Sequence, residues 1–231
     1  MTPQDLSRVM EATWPPLRTW EVGPFTLRDG AGGGKRVSAA SVSGAWSIAD
    51  LEAAEAAMSD PLFMIRDGDE ELDAALEARG YRVVDPVLAY AAPVGKLVAP
   101  VPAMIAFPHW PPLEIARVLW ADAGVGAARL AVMDRVRGAK TVILARLNDR
   151  PAGVCFVAIA GEQAMLHALE VSPLHRRQGL GSHMLRAAAI WAQNQGAASV
   201  SLVVTTQNSA ANFMYQSNGM DLVGQYQYRM R

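Results

Sequence analysis

The sequence predicts an α+β fold, with a mixed, mostly antiparallel sheet flanked by helices. Hydrophobic residues make up 51% of the 231 residues, which is ample material for a core. Short apolar segments rich in β-branched residues alternate along the chain with segments of helical periodicity. After a proline-rich stretch the predicted order of elements is ααβββαβαβ, and this mixing is typical of antiparallel sheets that carry helices.

The first hundred residues contain short helices and short strands. Thr2 and Pro3 are predicted to cap and begin a helix, which the Trp-Pro-Pro segment at residues 14–16 ends. Asp69 is predicted to cap a later helix and Gly80 to end it. Further elements of this half are predicted as helices over residues 50–58 and 69–79, and as strands over residues 25–28, 36–43, 61–66, 81–84 and 87–91.

The glycine run from Gly30 to Gly34 invites comparison with a phosphate-binding loop, but its spacing does not fit one. A P-loop needs a glycine five residues before its Gly-Lys pair, and that position is Asp29. Arg36 follows Lys35 where a serine or threonine would hold magnesium. The run is therefore predicted to be a flexible connection between two strands.

A proline-rich stretch between residues 93 and 112 predicts a linker. It places a domain boundary near residue 100, which gives a small α+β domain at residues 1–100 and a second domain at residues 101–231. The length of the chain suits two modest domains. The prolines of this stretch are Pro93, Pro100, Pro102, Pro108, Pro111 and Pro112.

The chain carries none of the usual signals for a membrane or for export. No apolar stretch reaches the ~18 residues of a transmembrane helix, and the first residues lack the basic start and apolar run of a signal peptide. Cys155 is the single cysteine, so no internal disulfide can form. These features predict a cytoplasmic protein without a membrane partner.

The charge is distributed unevenly between the two halves. Residues 1–109 hold 9 Lys+Arg and 15 Asp+Glu, a net −6, whereas residues 110–231 hold 12 and 7, a net +5. A positive half suits an anionic ligand such as a nucleotide cofactor, although compositional scatter explains the difference equally well. No run of five or more basic residues exists, so a nucleic acid is not expected as a partner.

The second half alternates more regularly between helix and strand. Residues 113–137 are predicted to be helical, with a break at the Gly-Val-Gly segment 124–126. The remaining predicted elements are strands over residues 141–147, 153–160, 164–171, 199–205 and 222–229, and helices over residues 182–195 and 208–218.

The loop at residues 176–181 has the composition of an anion site. It joins an apolar strand to an amphipathic helix, and its glycines let backbone N–H groups approach a ligand closely. The helix N-terminus adds about half a positive charge, and Arg176 and Arg177 add full charges. This pattern points to a pyrophosphate, but a strand–glycine–helix loop alone is only a moderate signal.

Two longer segments make the signal more specific. The segment at residues 169–181, with Val171 and Pro173 followed by the Arg176 to Gly181 loop, resembles motif A of the GCN5-related N-acetyltransferase (GNAT) superfamily. The segment at residues 208–220 resembles the same family's Asn-x-x-Ala…Tyr…Gly-Phe signature. Met214 replaces the usual leucine and Met220 the usual phenylalanine. Both changes keep an apolar residue, and the resemblance covers roughly residues 110–231.

The resemblance implies a GNAT fold that uses acetyl-CoA as co-substrate. No His, Cys or carboxylate cluster has metal-ligand spacing, so no metal is expected. Backbone amides of the 177–181 segment would hold the pyrophosphate, and two strand residues would bond the pantetheine arm as a strand bonds its neighbour. Tyr215 would protonate the departing CoA thiolate. The cofactor-binding residues implied in this way are Leu169, Val171, Arg176, Arg177, Gln178, Gly179, Leu180, Gly181 and Asn208.

The attacking amine must lose a proton, and Glu170 is the best candidate for the base. Its side chain should point away from those of its strand neighbours on either side. A solvated carboxylate that takes no part in catalysis is an equally good interpretation of Glu170, and a water chain could replace it. His167 and Glu162 are weaker candidates. Cys155 lies in mid-strand and is expected to be a buried, inert thiol.

The end of the first half repeats the order found at the end of the second, strand, helix, glycine, strand. Residues 63–84 would then correspond to residues 202–223, which suggests a degenerate GNAT-like domain without a CoA loop. An unrelated small α+β domain is an equal alternative. In either case its expected role is to complete the acceptor pocket or the fold, and its acidic surplus weakly favours a cationic acceptor.

Two function classes follow from these residues. The first is an N-acetyltransferase that moves an acetyl group from acetyl-CoA to a primary amine, with a small-molecule acceptor favoured and a protein or peptide amine open. The second is a non-catalytic acyl-CoA sensor that keeps the fold and the loop. The presence of Tyr215 and Asn208 favours the enzyme. A homodimer stays open.

Overall fold

The apolar segments form eleven strands and eight helices in the computed structural model, which describes residues 3–231. The strands are β1 (Arg18–Val22), β2 (Phe25–Asp29), β3 (Ser41–Val42), β4 (Leu62–Arg66), β5 (Arg82–Pro93), β6 (Ala106–His109), β7 (Lys140–Leu147), β8 (Arg150–Ala160), β9 (Gln163–Val171), β10 (Ser199–Thr205) and β11 (Asp221–Met230). The helices are α1 (Pro3–Thr13), α2 (Ile48–Ala56), α3 (Glu70–Ala78), α4 (Val94–Leu97), α5 (Glu114–Asp122), α6 (Ala127–Arg135), α7 (Leu180–Asn194) and α8 (Ser209–Ser217).

Eight of the strands form one mixed sheet in the order β4-β11-β5-β10-β9-β8-β7-β6. All neighbours in this sheet are antiparallel except β9 and β10, which pair in parallel. The first three strands form a separate antiparallel sheet beside it. The predicted mixed, mostly antiparallel α+β architecture is therefore confirmed.

The two halves of the chain exchange strands. Strand β5, from the first half, lies between β10 and β11 of the second half and pairs with both. Strand β11, in turn, lies between β4 and β5 of the first half. Each strand–helix–strand unit thus receives the last strand of the other unit, which agrees with the repeat predicted from the sequence.

This exchange changes the meaning of the boundary expected near residue 100. Residues on both sides of it contribute to the eight-stranded sheet, so that sheet belongs to neither segment alone. Apolar packing also crosses the boundary, because Trp14 and Val37 join Trp120 and Phe156 in one buried cluster. A limit near residue 100 remains a proposal for where one repeat ends and the next begins.

Several predicted elements differ in detail from the observed ones. Residues 82–93 form one strand rather than two, because the strand kinks at Asp85 (φ 46°) and continues its pairing beyond the kink. The predicted strand 36–43 begins in a 3-10 turn at Lys35–Val37, and only Ser41–Val42 form a strand there. Strands β1 and β6 were not predicted, since both lie in short, polar or proline-containing segments.

The helix boundaries follow local chemistry. Ser47 caps α2 through a capping box with Asp50, which begins the helix two residues before the predicted start. Asp69 stands at the N-cap of α3, but its side chain accepts hydrogen bonds from Arg66 instead of capping the helix. The predicted cap of α1, Thr2, lies outside the described residues.

An ion-pair network joins the C-terminal strand to the first half. The Arg229 guanidinium is almost completely buried and donates to Asp73 (2.7 and 2.9 Å), to Glu77 (3.1 Å) and to the Tyr81 carbonyl (3.0 Å). Asp73 and Glu77 lie on α3, so the network fixes the position of β11 against that helix.

Replacing Arg229 by methionine is expected to lower the free energy of unfolding by about 2 to 3 kcal/mol. This is below the ~3–5 kcal/mol cost of breaking a fully buried pair, because the carboxylates of this network retain some exposure. Urea denaturation of the variant measures the loss, with the exposed Arg150→Met as a control that should change stability by less than ~0.5 kcal/mol. Equal stability of the two variants would contradict this role.

None of the helices that the structure describes is both long enough and apolar enough to cross a bilayer.

Candidate active site

Strands β9 and β10 pair over only part of their length and then separate. Their parallel ladder runs from Gln163 and Ser199 to Leu166 and Leu202. Beyond that point β9 continues to Val171 along β8, and β10 continues to Thr205 along β5. The facing edges of the two strands therefore open into a wedge in which backbone groups of both strands are free of each other.

A β-bulge marks the place where β9 leaves β10. His167 pairs with Phe156 and Glu170 pairs with Val154, so two residues of β9 stand opposite the single residue between those partners. Ala168, inside the bulge, has φ 47°, and its carbonyl accepts a hydrogen bond of 2.9 Å from the Trp120 indole. Bulges of this kind re-aim backbone groups and are frequent beside active sites.

The predicted anion loop leads from the open end of β9 into α7. Gly179 occupies the N-cap position with φ 76°, a conformation that favours glycine. The His183 amide donates to the Gly179 carbonyl (3.2 Å), and this is the first hydrogen bond of the helix. The amides that precede it have no helical acceptor, so they are available to an anion at the wedge.

Two contacts set the shape of this loop. Arg176 is exposed, yet its Nε donates to the Val171 carbonyl at 3.1 Å, which ties the loop back to the end of β9. A Cβ at Gly181 would lie 2.5 Å from the Met214 sulfur, so a larger residue there would displace the Met214 side chain between α7 and α8. The exposed residues of the loop are Arg176, Arg177, Gln178 and Gly179, whereas Leu180 is buried beneath them.

Helix α8 lies on the same face of the sheet as α7. The Asn208 side chain caps it by accepting from the Ala211 amide at 3.1 Å, while the rest of this residue is exposed. Asn212 anchors the helix, since its amide donates to the carbonyls of Asn208 and Thr205. The Tyr90 hydroxyl donates to the Asn212 side chain at 3.1 Å.

Tyr215 is buried beside Tyr90, with the two ring centroids 6.1 Å apart. Within residues 3–231, its hydroxyl makes no hydrogen bond, whereas the hydroxyl of Tyr90 makes two hydrogen bonds. Burial, together with nearby Cys155 and Glu170, raises the pKa of Tyr215, so this hydroxyl is protonated at neutral pH. It is a proton donor without a protein acceptor.

Glu170 lies near the end of β9, and its side chain is only partly exposed. Its strand neighbours Leu169 and Val171 pack against the cluster beneath α7, as the predicted alternation requires. Burial raises the pKa of Glu170, and the positive charges of Arg176 and Arg129 partly offset this effect. A carboxylate with a raised pKa is a stronger base than a solvated one.

The two weaker candidates for the base are unsuited to that role. His167 is buried, and Arg36 donates to its Nδ1 (3.1 Å) while its Nε2 lies 2.9 Å from the Thr13 hydroxyl. Since arginine can only donate, the lone pair of His167 is already occupied. Glu162 is exposed in the turn before β9, at the end of the β9–β10 ladder that lies away from the wedge.

The cysteine near Tyr215 is not suited to catalysis. Cys155 is a fully buried free thiol whose pKa burial raises, in agreement with the inert role expected for it. Among the side chains that the structure describes, no group of three or more His, Cys, Asp or Glu residues could hold a metal ion.

The acetyltransferase (GNAT) family model matches residues 108–220, the part of the chain that contains the wedge, the loop and α8. Residues 108–220 are therefore a GNAT domain. The match spans both GNAT-like segments seen in the sequence, so the resemblance predicted for the C-terminal half is confirmed.

Solved structures extend the GNAT fold to the whole chain. A GCN5-related N-acetyltransferase from Kribbella flavida superposes with a TM-score of 0.75 at 18% identity, over 100% of this chain and 96% of that one. A tandem GNAT protein from the clavulanic acid biosynthesis pathway gives a TM-score of 0.63 at 16% identity, over 99% and 88% of the two chains. These identities establish likeness of fold alone, and they include the first half in it.

One curated relative also matches within the chain. The N-acetyltransferase family 8 member 3 of Rattus norvegicus is 40% identical over 67 residues, which are 29% of this chain and 29% of that protein. The chain thus matches less than a third of that relative's length.

The structure also brings residues to the GNAT wedge that the sequence did not single out. Trp120 holds the bulge carbonyl, Asn212 and Tyr90 fix α8, and Arg36 reaches His167 from the first half. Arg36 follows the glycine run that was predicted to be only a flexible connection. In the sequence, only its place in a basic pair with Lys35, directly after that run, could have indicated that Arg36 lies at the site.

Proposed function

We propose that the protein is an acetyl-CoA-dependent N-acetyltransferase that acts on the primary amine of a small-molecule acceptor. The observation that carries this proposal is the wedge between β9 and β10, where β9 leads into the anion loop and Glu170 of β9 is close enough to Tyr215 to affect its pKa. An anion loop beside two strand edges with free backbone groups can bind a long thioester that carries a pyrophosphate, as acetyl-CoA does.

Backbone groups would make most of the contacts that bind acetyl-CoA. The free amides from Arg177 to Gly181 and the positive end of α7 would hold the pyrophosphate, with Gly179 allowing its close approach. The free edge of β9 at Leu169 and Val171 would bond the pantetheine amides as a neighbouring strand would. Asn208 has a side-chain amide N–H available toward the same arm while its oxygen caps α8.

Two side chains would carry out the proton transfers of the reaction. Acetyl-CoA supplies an activated thioester; Glu170 would accept the proton that the attacking amine loses, directly or through a water. A backbone N–H of the β9 bulge would stabilise negative charge on the acetyl oxygen. Tyr215 would donate its proton to the departing thiolate, and its raised pKa keeps that proton in place beforehand.

The test is an acceptor screen that includes a binding measurement. Purified protein is titrated with acetyl-CoA by calorimetry and then incubated with amino acids, polyamines, aminoglycosides and peptides, while thiol release is followed. We expect micromolar binding and turnover of at least one small amine. Absence of acetyl-CoA binding would refute the proposal, and binding without turnover of any amine would favour the sensor alternative.

The pH dependence tests the role of Glu170. The base must be ionised, so kcat/KM should fall as the pH drops through the pKa of Glu170, which lies above the ordinary value of about 4.3. Glu170→Gln should lower kcat roughly 100-fold and remove that acid limb. Glu162→Gln, in the exposed turn, should change neither. A wild-type profile in Glu170→Gln would show that another group accepts the proton.

A further inference from the structure

A cavity of about 230 Å³ lies where the two halves of the chain meet. Its walls come from the divergent part of β9 and β10 and from the glycine run of the first half. It also receives Tyr226 and Tyr228 of the exchanged strand β11. Because Ala168 of the bulge lines it, the cavity opens onto the place where the wedge begins.

The charge of this cavity is positive. Lys35, Arg36 and Arg129 line it, and Asp85 is its only lining carboxylate. The Lys35 ammonium and the Asp85 carboxylate form an ion pair of 2.8 Å, so these two charges compensate each other. In the part of the chain that the structure describes, neither Arg36 nor Arg129 has a carboxylate within 4.0 Å.

Arg36 is held in place by a hydrogen bond, but some of its N–H donors have no acceptor among the described residues. Its guanidinium donates to His167 Nδ1 at 3.1 Å, while its Nε is buried without an acceptor among the described residues. An arginine guanidinium carries five N–H donors, and the hydrogen bond to His167 uses one of them. Arg36 lines the cavity and therefore has N–H donors left for a ligand there.

A hydrogen-bonded chain behind Arg36 fixes its orientation. The Thr13 hydroxyl donates to the Val9 carbonyl (2.6 Å), so it accepts from His167 Nε2 (2.9 Å), and His167 Nδ1 is left as the acceptor for Arg36. Burial and the charge of Arg36 lower the pKa of His167, which keeps the imidazole neutral. A preorganised guanidinium loses little entropy when it binds an anion.

We propose that this cavity binds an anionic group of the acceptor, a carboxylate or a phosphate, through Arg36 with Arg129 beside it. The acceptor is then an amine that carries an acid, such as an amino acid, with the acid in the cavity and the amine directed to the wedge. This inference rests on the proposed function, because it takes the cavity as the acceptor site.

The size of the cavity fits this class of molecule. A volume of about 230 Å³ lies just below the ~300–1,000 Å³ of typical ligand pockets, which suits an acceptor of the size of an amino acid. The acidic surplus of the first half had weakly favoured a cationic acceptor. The residues that this half places in the cavity have the opposite charge, since only Asp85 among them is acidic and it is paired.

The experiment compares matched acceptors with and without the acid. Wild-type protein, Arg36→Met and the exposed Arg150→Met are assayed for thiol release with L-amino acids, the corresponding amino acid amides, and phosphoethanolamine. We expect kcat/KM for the preferred acid to exceed that for its amide by roughly 10- to 100-fold. Arg36→Met should bring this ratio close to one, and Arg150→Met should preserve it.

A binding measurement makes the result independent of turnover. Saturation-transfer NMR without acetyl-CoA should detect the preferred amino acid on the wild type and on Arg150→Met, and not on Arg36→Met. Preference for phosphoethanolamine over every amino acid would support the anion site and identify the anion as a phosphate.

Failure of this inference is distinguishable from failure of the proposed function. Equal use of acids and amides, or an unchanged ratio in Arg36→Met, would overturn the anion site while acetyl transfer stands. Absence of binding of every amino acid and of phosphoethanolamine to the wild type would also overturn it. Failure to bind acetyl-CoA would instead refute the proposed function.

Discussion

Replacing Gly179 by glutamate is expected to weaken acetyl-CoA binding by about 1,000-fold, equivalent to ~4 kcal/mol. Gly179 has φ 76°, which a residue with a side chain adopts only at a cost of ~1–3 kcal/mol, so the loop and its amides would shift. The new carboxylate would also stand at the helix N-terminus where the pyrophosphate is expected, and the two negative charges would repel each other. Calorimetric titration with acetyl-CoA measures the effect.

The chain provides a matched control for this substitution at the other end of the same helix. Gly196 follows α7 with φ 84°, and a Cβ added there would meet nothing within 4 Å. Gly196→Glu therefore introduces a similar backbone strain and the same charge away from the loop, and it should leave the affinity within about threefold. Unchanged affinity in Gly179→Glu, or an equal loss in Gly196→Glu, would refute the assignment of the loop.

Tyr215→Phe is expected to lower kcat by roughly 1,000-fold, within the range for loss of a general acid. The substitution removes only a hydroxyl that has no protein partner in the described structure, so the packing of the ring and the stability should be preserved. Acetyl-CoA affinity should stay within about threefold, because the pyrophosphate loop is untouched. Single-turnover kinetics with saturating acetyl-CoA separate the chemical step from binding.

Tyr90→Phe is the control for this prediction. Tyr90 is also buried and its ring lies tilted beside that of Tyr215, but its hydroxyl donates to Asn212 and accepts from Gln216. Its removal should reduce stability by ~1–3 kcal/mol and leave kcat within about threefold. A loss of kcat in Tyr90→Phe as large as that in Tyr215→Phe would mean that the effect comes from α8 packing and not from proton donation.

Local features of the second half could be predicted from the sequence because they are encoded over short distances. Strand β10 begins and ends where expected, and Gly179 stands at the start of α7 as the anion loop requires. The alternation of Leu169, Glu170 and Val171 along β9 also follows from strand geometry alone. The positions of these parts of the candidate site depend on residues that are close to one another in the sequence.

The remaining parts depend on contacts between distant residues. The exchange of β5 and β11 has no local signal, because either strand could pair with any partner that buries the same face. Arg36 reaches His167 across 131 positions of the chain, and the Gly30–Gly34 segment before it gave no sign of facing a cavity. The charge of the acceptor cavity therefore could not be inferred from the net charge of either half.

Acetyl-CoA is proposed to bind in the wedge between β9 and β10, and a crystal structure with acetyl-CoA bound is the decisive measurement. We expect the pyrophosphate on the amides from Arg177 to Gly181, the pantetheine arm along β9, and the thioester sulfur within hydrogen-bond reach of the Tyr215 hydroxyl. Pyrophosphate density away from this loop, or a thioester remote from Tyr215, would refute this binding mode.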